Sequence, residues 1–70
     1  MPDMAILNKL RLFRSQVGLT QEELAQKTGV TRQTIISIEK GNYTPSVQLA
    51  LRLAKVLEIT VEELFYEEGE

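Results

Sequence analysis

Cysteine and histidine are both missing from the 70 residues. Without them there is no disulfide framework, no Cys/His zinc site and no catalytic centre built on a thiolate or an imidazole. Most enzyme templates are thereby excluded. Glu, Lys, Ser and Thr would have to form a site alone, and nothing in the sequence clusters them in a catalytic arrangement, so no enzymatic activity, metal or cofactor is expected. Long apolar runs are missing as well. The longest runs from Met4 to Leu7, far short of the ~20 residues a membrane span needs, and no basic stretch leads into an apolar one as in a signal peptide. A cytoplasmic protein with no membrane partner is expected.

Hydrophobic side chains make up 43% of the sequence and charged ones 26%, with four Gly and two Pro, the composition of a small globular domain. Residues 1–70 are expected to form that one domain. A chain this short, with no covalent staple, draws little net stability from a single core. Well-packed helices, a partner subunit or both are needed, and dimerisation is expected. The net charge of −2 conceals two opposed regions. Residues 1–57 hold eight cations against Asp3, Glu22, Glu23 and Glu39, a local +4, whereas residues 58–70 hold six Glu and no cation, a local −6. The body can meet an anionic partner while an acidic tail, residues 66–70, faces away from it.

Hydrophobic spacing and capping residues divide the chain into five short helices. Ile6, Leu10, Phe13 and Val17 fall on one helical face, predicting a first helix from about Ala5 to Val17 that Gly18 closes. Thr20 and Glu23 form a capping box for a second helix, which carries Leu24 and Ala25 inward and ends near Lys27 before Gly29. Thr31 caps a third helix to about Glu39 or Lys40, with Ile35 and Ile38 inside and Gly41 at its end. The β-branched residues there would tolerate a strand, but the caps and the lack of strict alternation favour a helix. After a loop from Asn42 to Pro45, Ser46 caps a fourth helix whose apolar face is Val47, Leu49, Ala50, Leu53, Ala54 and Leu57. Thr60 and Glu63 make a second capping box for a short fifth helix holding Val61, Leu64 and Phe65.

Three features coincide in residues 20–39, TQEELAQKTGVTRQTIISIE. Two helices that meet steeply across a three-residue turn need a small residue at the contact, here Ala25. They need a residue without a Cβ in the turn, here Gly29, and apolar anchors, here Leu24, Val30, Ile35 and Ile38. That is helix-turn-helix spacing. Arg32, Gln33 and Thr34, with Ile36 and Ser37 following, then form the outward side of the third helix, and side chains of these kinds read base edges in a major groove. An amphipathic helix pair with a polar outer face would account for any one of these residues, but not for the joint pattern.

From Asn8 to Tyr66 the chain resembles the phage-repressor or Cro-type helix-turn-helix proteins, the XRE family, in its small stand-alone form. The resemblance runs through Leu10, Phe13, Arg14, Gly18-Leu19-Thr20-Gln21, Leu24-Ala25, Gly29-Val30, Ile35, Ile38-Glu39, Gly41, Pro45-Ser46, Leu49-Ala50, Ala54 and Leu64-Phe65. It implies an all-α, five-helix, lambda-repressor-like fold that binds double-stranded operator DNA as a two-fold homodimer and regulates transcription as a repressor. It further implies a phosphate contact for Gln21, base contacts for Arg32, Gln33 and Ser37, and backbone contacts for Lys40 and Asn42. It also places a structural ion pair between Arg14 and Glu39. Ile36 is more apolar than is usual at its position and could meet a thymine methyl.

The second expectation, from a different class, is a protein-interaction module of the same fold, an antitoxin or a bridging factor with a protein partner. For the dimer contacts, Phe65 and Tyr66 stand out, because adjacent aromatics on a short helix cannot both face inward. Leu12 is the second choice.

Overall fold

A hydroxyl side chain decides where four of the helices begin. In a computed structural model that describes residues 5–68, the order along the chain is a strand Ile6–Asn8 (β1), helices Leu10–Gln16 (α1), Gln21–Thr28 (α2), Arg32–Glu39 (α3), Val47–Leu57 (α4) and Val61–Leu64 (α5), and a strand Phe65–Glu67 (β2). Thr20, Thr31, Ser46 and Thr60 each accept a hydrogen bond from the backbone N–H three residues on, satisfying a donor that the first turn leaves free. At Thr20 and Thr60 the carboxylates of Glu23 and Glu63 answer by accepting from the cap backbone, completing both capping boxes.

The first helix starts later than its hydrophobic spacing predicts. Residues 6–8 are extended and pair antiparallel with β2 in the register Ile6↔Glu67, Leu7↔Tyr66 and Asn8↔Phe65. Asn8 is the hinge. Its Oδ1 accepts from the Leu10 N–H at 3.0 Å, opening α1, and its Nδ2 donates to the Ile38 carbonyl at 2.9 Å. The Lys9 N–H donates to the Leu64 carbonyl and the Glu68 N–H to the Ala5 carbonyl, closing the two-stranded sheet at both ends. At the other terminus, Phe65, expected in the fifth helix, leaves it with φ −119° and ψ 141° to begin β2. Tyr66 and Glu67, expected in an acidic tail, are strand residues too. Gly69 and Glu70 lie outside the described residues. The fold is thus five helices with a two-stranded sheet joining the ends of the described chain.

Leu10, Leu24, Ile35, Ile38, Leu53 and Leu64 are completely buried at the centre, one or more from every helix. Around them α4 adds Leu49, Ala50, Ala54 and Leu57. Val47, expected on the same face, is 77% exposed, because it stands at the edge of that face in the first turn. Between α2 and α3 the near-absence of a side chain at Ala25, 1% exposed, lets the helices approach closely. Gly29 adopts φ +76° and the Val30 N–H returns to the Ala25 carbonyl at 3.0 Å, the left-handed termination that a residue without Cβ takes at no steric cost. The buried Thr28 hydroxyl donates to the Leu24 carbonyl at 2.8 Å, so its polar group is satisfied inside the turn.

Candidate nucleic-acid interface

The sequence of α3, RQTIISIE, buries Ile35 and Ile38 and therefore turns a polar ridge outward. Arg32 and Gln33 are exposed on it, and Thr34, Ile36 and Ser37 are half-buried at its flanks. The first turn of α3 carries no carboxylate, so nothing there opposes an anion. Ile36 departs from expectation. A side chain on the outward side of the third helix would be largely exposed, but Ile36 lines a cleft with Arg11 and Arg14 of α1 and Gln21 of α2, and only part of it reaches solvent.

Two clefts flank the ridge. One, of about 440 Å³, is lined by Arg11, Arg14, Gln21, Ile36, Glu39 and Lys40, joining α1, the start of α2 and the end of α3. The other, of about 280 Å³, is lined by Thr31, Gln33, Thr34 and Ser37 of the third-helix region and by Asn42 and Tyr43 of the loop after it. The first holds exposed cations and the second only neutral hydrogen-bonding side chains. Arg32 stands clear of both, at the front of the ridge.

Glu39 organises the first cleft. Arg14 approaches it side-on, Nε to Oε2 at 2.6 Å and Nη2 to Oε1 at 3.3 Å, and its Nη1 donates to the Leu19 carbonyl at 2.8 Å. The paired side chains are only 13% and 6% exposed. Gln21 Nε2 also donates to Glu39 Oε1, at 3.1 Å. The end of α3 is therefore fixed to α1, to the connection before α2 and to the first residue of α2. Because the Gln21 amide has two hydrogens, one remains available beside Arg11 and Lys40 for an outside acceptor.

The C-terminus of α3 is fixed as firmly. Gly41, at φ +80°, donates to the Ile38 carbonyl, and the Asn42 N–H reaches back to the Ser37 carbonyl, both at 2.9 Å, a Schellman termination. It folds the loop against the helix and presents Asn42 and Tyr43 next to Gln33 and Ser37. Arg11 and Tyr43 were not among the residues singled out from the sequence. Arg11 could have been found one turn before Arg14, on the same side of α1; Tyr43 had no signal beyond being an aromatic residue in a polar loop.

Phe65 and Tyr66 lie away from this surface, on β2 of the two-stranded sheet. Neighbours on a strand face opposite ways, so the two do not share a surface. Phe65 is half-buried and lines an apolar groove of about 170 Å³ with Ile6, Thr44, Pro45, Val47, Ala50 and Val61. Tyr66 is 42% exposed on the other face, across from Leu7, with the Lys9 ammonium 5.6 Å from its ring centroid. Among the described residues no group of His, Cys, Asp and Glu could hold a metal, and no helix is long and apolar enough to cross a membrane.

The helix-turn-helix family model matches residues 8–64, which include the braced helix pair and both clefts. The chain belongs to the XRE-type helix-turn-helix family. An uncharacterized helix-turn-helix-type transcriptional regulator of Methanocaldococcus jannaschii is 53% identical over 64 residues, covering 90% of this chain and 97% of the relative. Among solved structures, the restriction-modification controller protein C.AhdI of Aeromonas hydrophila is 37% identical with a TM-score of 0.72, over 77% of this chain and 78% of that one. A protein of Bacteroides fragilis superposes with a TM-score of 0.80 over 87% of this chain and 98% of that one; at 21% identity it bears on the fold alone.

Proposed function

We propose that this helix-turn-helix transcriptional regulator is a cytoplasmic repressor that binds its operator as a two-fold homodimer, residues 1–70 acting as one DNA-binding domain. It changes no covalent bond. Arg32, Gln33 and Ser37 read base edges in the major groove, Thr34 supports them from the loop side, and the exposed part of Ile36 meets a thymine methyl. Gln21 and Lys40 on one side and Asn42 on the other hold the phosphates that set the register. The observation that carries this reading is the outward ridge of α3 standing between two polar clefts, with its far end fixed by Glu39 to α1 and α2.

Dimerisation through the end of the molecule that carries the two-stranded sheet fits both the size of the chain and the two half-sites that a repressor of this kind reads about 34 to 36 Å apart. The groove at Phe65 and the exposed Val47 supply apolar surface, and Tyr66 adds a second patch on the opposite face of the strand.

An electrophoretic shift against genomic DNA fragments, with and without competitor, tests the proposal. Selective retention that weakens as salt rises is expected. Absence of any salt-sensitive retention rejects it and favours a protein partner as the ligand of this fold.

A further inference from the structure

The neutral cleft beside α3 contains a residue that the DNA-binding reading does not use. Tyr43 is 47% exposed, and among the described residues its hydroxyl makes no hydrogen bond to the protein. Its main chain is nonetheless held in place. The Schellman turn at Gly41 and the bond from the Asn42 N–H to the Ser37 carbonyl tie the loop to α3, and Pro45 just beyond restricts the backbone before α4. An aromatic side chain whose main chain is fixed at the rim of a cleft shared with Gln33, Thr34 and Ser37 is set beside whatever those residues contact. All six lining residues carry hydroxyl or amide groups and none carries a charge. Such groups hydrogen-bond to phosphate oxygens without displacing counterions.

We propose that Tyr43 is a further DNA-contacting residue, its hydroxyl donating to one backbone phosphate of the strand that borders the groove on the loop side, next to the phosphate contact of Asn42. The proposal rests on the DNA-binding reading above and deepens it. It assigns the two clefts different physics. The cleft with Arg11 and Lys40 contributes the salt-dependent part of phosphate binding, and the cleft with Asn42 and Tyr43 contributes a salt-independent part that fixes the register.

Tyr43→Phe removes the hydroxyl and keeps the ring, so the fold is preserved, and an unchanged thermal midpoint verifies this. Fluorescence anisotropy on operator and on random duplex across a salt series should show about tenfold weaker binding to both, the loss of one hydrogen bond to a charged group, with the salt slope unchanged. Lys40→Ala, measured alongside, should lower the slope by about one. A scan of single methylphosphonate substitutions through the operator should find one phosphate per half-site at which wild type loses affinity and Tyr43→Phe loses none further. Wild-type affinity for Tyr43→Phe, or an identical methylphosphonate profile for the two proteins, overturns the proposal. A loss confined to one sequence overturns it as well, since it would mean that Tyr43 reads a base. If wild type itself binds no duplex, the DNA-binding reading has failed; if wild type binds and Tyr43→Phe is unaffected, only the role of Tyr43 has.

Discussion

The guanidinium of Arg14 lies side-on against the carboxylate of Glu39, with two contacts at 2.6 and 3.3 Å between side chains that are almost fully covered. A pair so placed is a brace more than a source of net stability, because both charges have lost much of their hydration. Removing one member strands the other. Arg14→Met should cost about 3 to 5 kcal/mol, a large part of the stability of a chain this size at roughly 0.05 to 0.15 kcal/mol per residue. The double variant Arg14→Met/Glu39→Met should recover at least half of that loss. Urea denaturation of the two variants checks this, and equal losses in both would count against a brace of this kind.

Glu58 ends α4 at φ 60° and ψ 41°, the left-handed region, with its N–H on the Lys55 carbonyl and the Ile59 N–H on the Ala54 carbonyl. The other left-handed positions among the described residues are glycines. A side chain there is strained by roughly 1 to 2 kcal/mol, and a carboxylate at a helix C-terminus is opposed by the macrodipole. Glu58→Gly should therefore raise stability by about 0.5 to 1 kcal/mol after the greater chain entropy of glycine is set against the relief. Thermal unfolding of the variant measures it; a lowered midpoint would mean that the Glu58 side chain makes a compensating contact.

Arg32 and Lys40 occupy opposite ends of α3 and should fail differently. Arg32→Ala should lose about 1 to 3 kcal/mol at the preferred site and flatten discrimination at one base pair, whereas Lys40→Ala should weaken all sequences alike. Binding isotherms on the operator and on single-base variants of it separate the two. Equal losses on specific and random DNA for Arg32→Ala would make Arg32 a phosphate contact.

Much of this architecture is legible in the sequence, because the signals that fix it are local. The capping boxes at Thr20 and Thr60, the caps at Thr31 and Ser46 and the glycine terminations at Gly29 and Gly41 each act within a few residues and place α2 to α5 closely. The strands are a different matter. Ile6 and Leu10 are spaced as well for a helix as for anything else, and what keeps residues 6–8 extended is pairing with Phe65–Glu67, at the far end of the chain. The half-burial of Ile36 depends likewise on where α1 and α2 stand relative to α3. The cleft that unites Gln33 with Tyr43 depends on a loop folding back over a helix end, and no periodicity reports that.

The placing of the dimer contacts can be tested at two residues on different surfaces. Val47→Asp puts a charge into the groove beside Phe65, and Tyr66→Asp puts one on the opposite strand face. Sedimentation at micromolar concentration should show a dimer for wild type and a monomer for Val47→Asp, with a smaller effect of Tyr66→Asp. Unchanged association in both variants would move the interface elsewhere, Leu12 on α1, 52% exposed, being the second choice.

The central claim is that the exposed ridge of α3 reads base edges from the major groove, and methylation interference examines it directly. Dimethyl sulfate marks guanine N7 in the major groove and adenine N3 in the minor groove, so the two edges report separately. Guanine N7 methylation should block binding at positions repeated in two half-sites one helical turn apart, and Arg32→Ala should abolish the interference at one of them. Interference confined to adenine N3, or guanine interference that Arg32→Ala leaves unchanged at every position, would contradict the account.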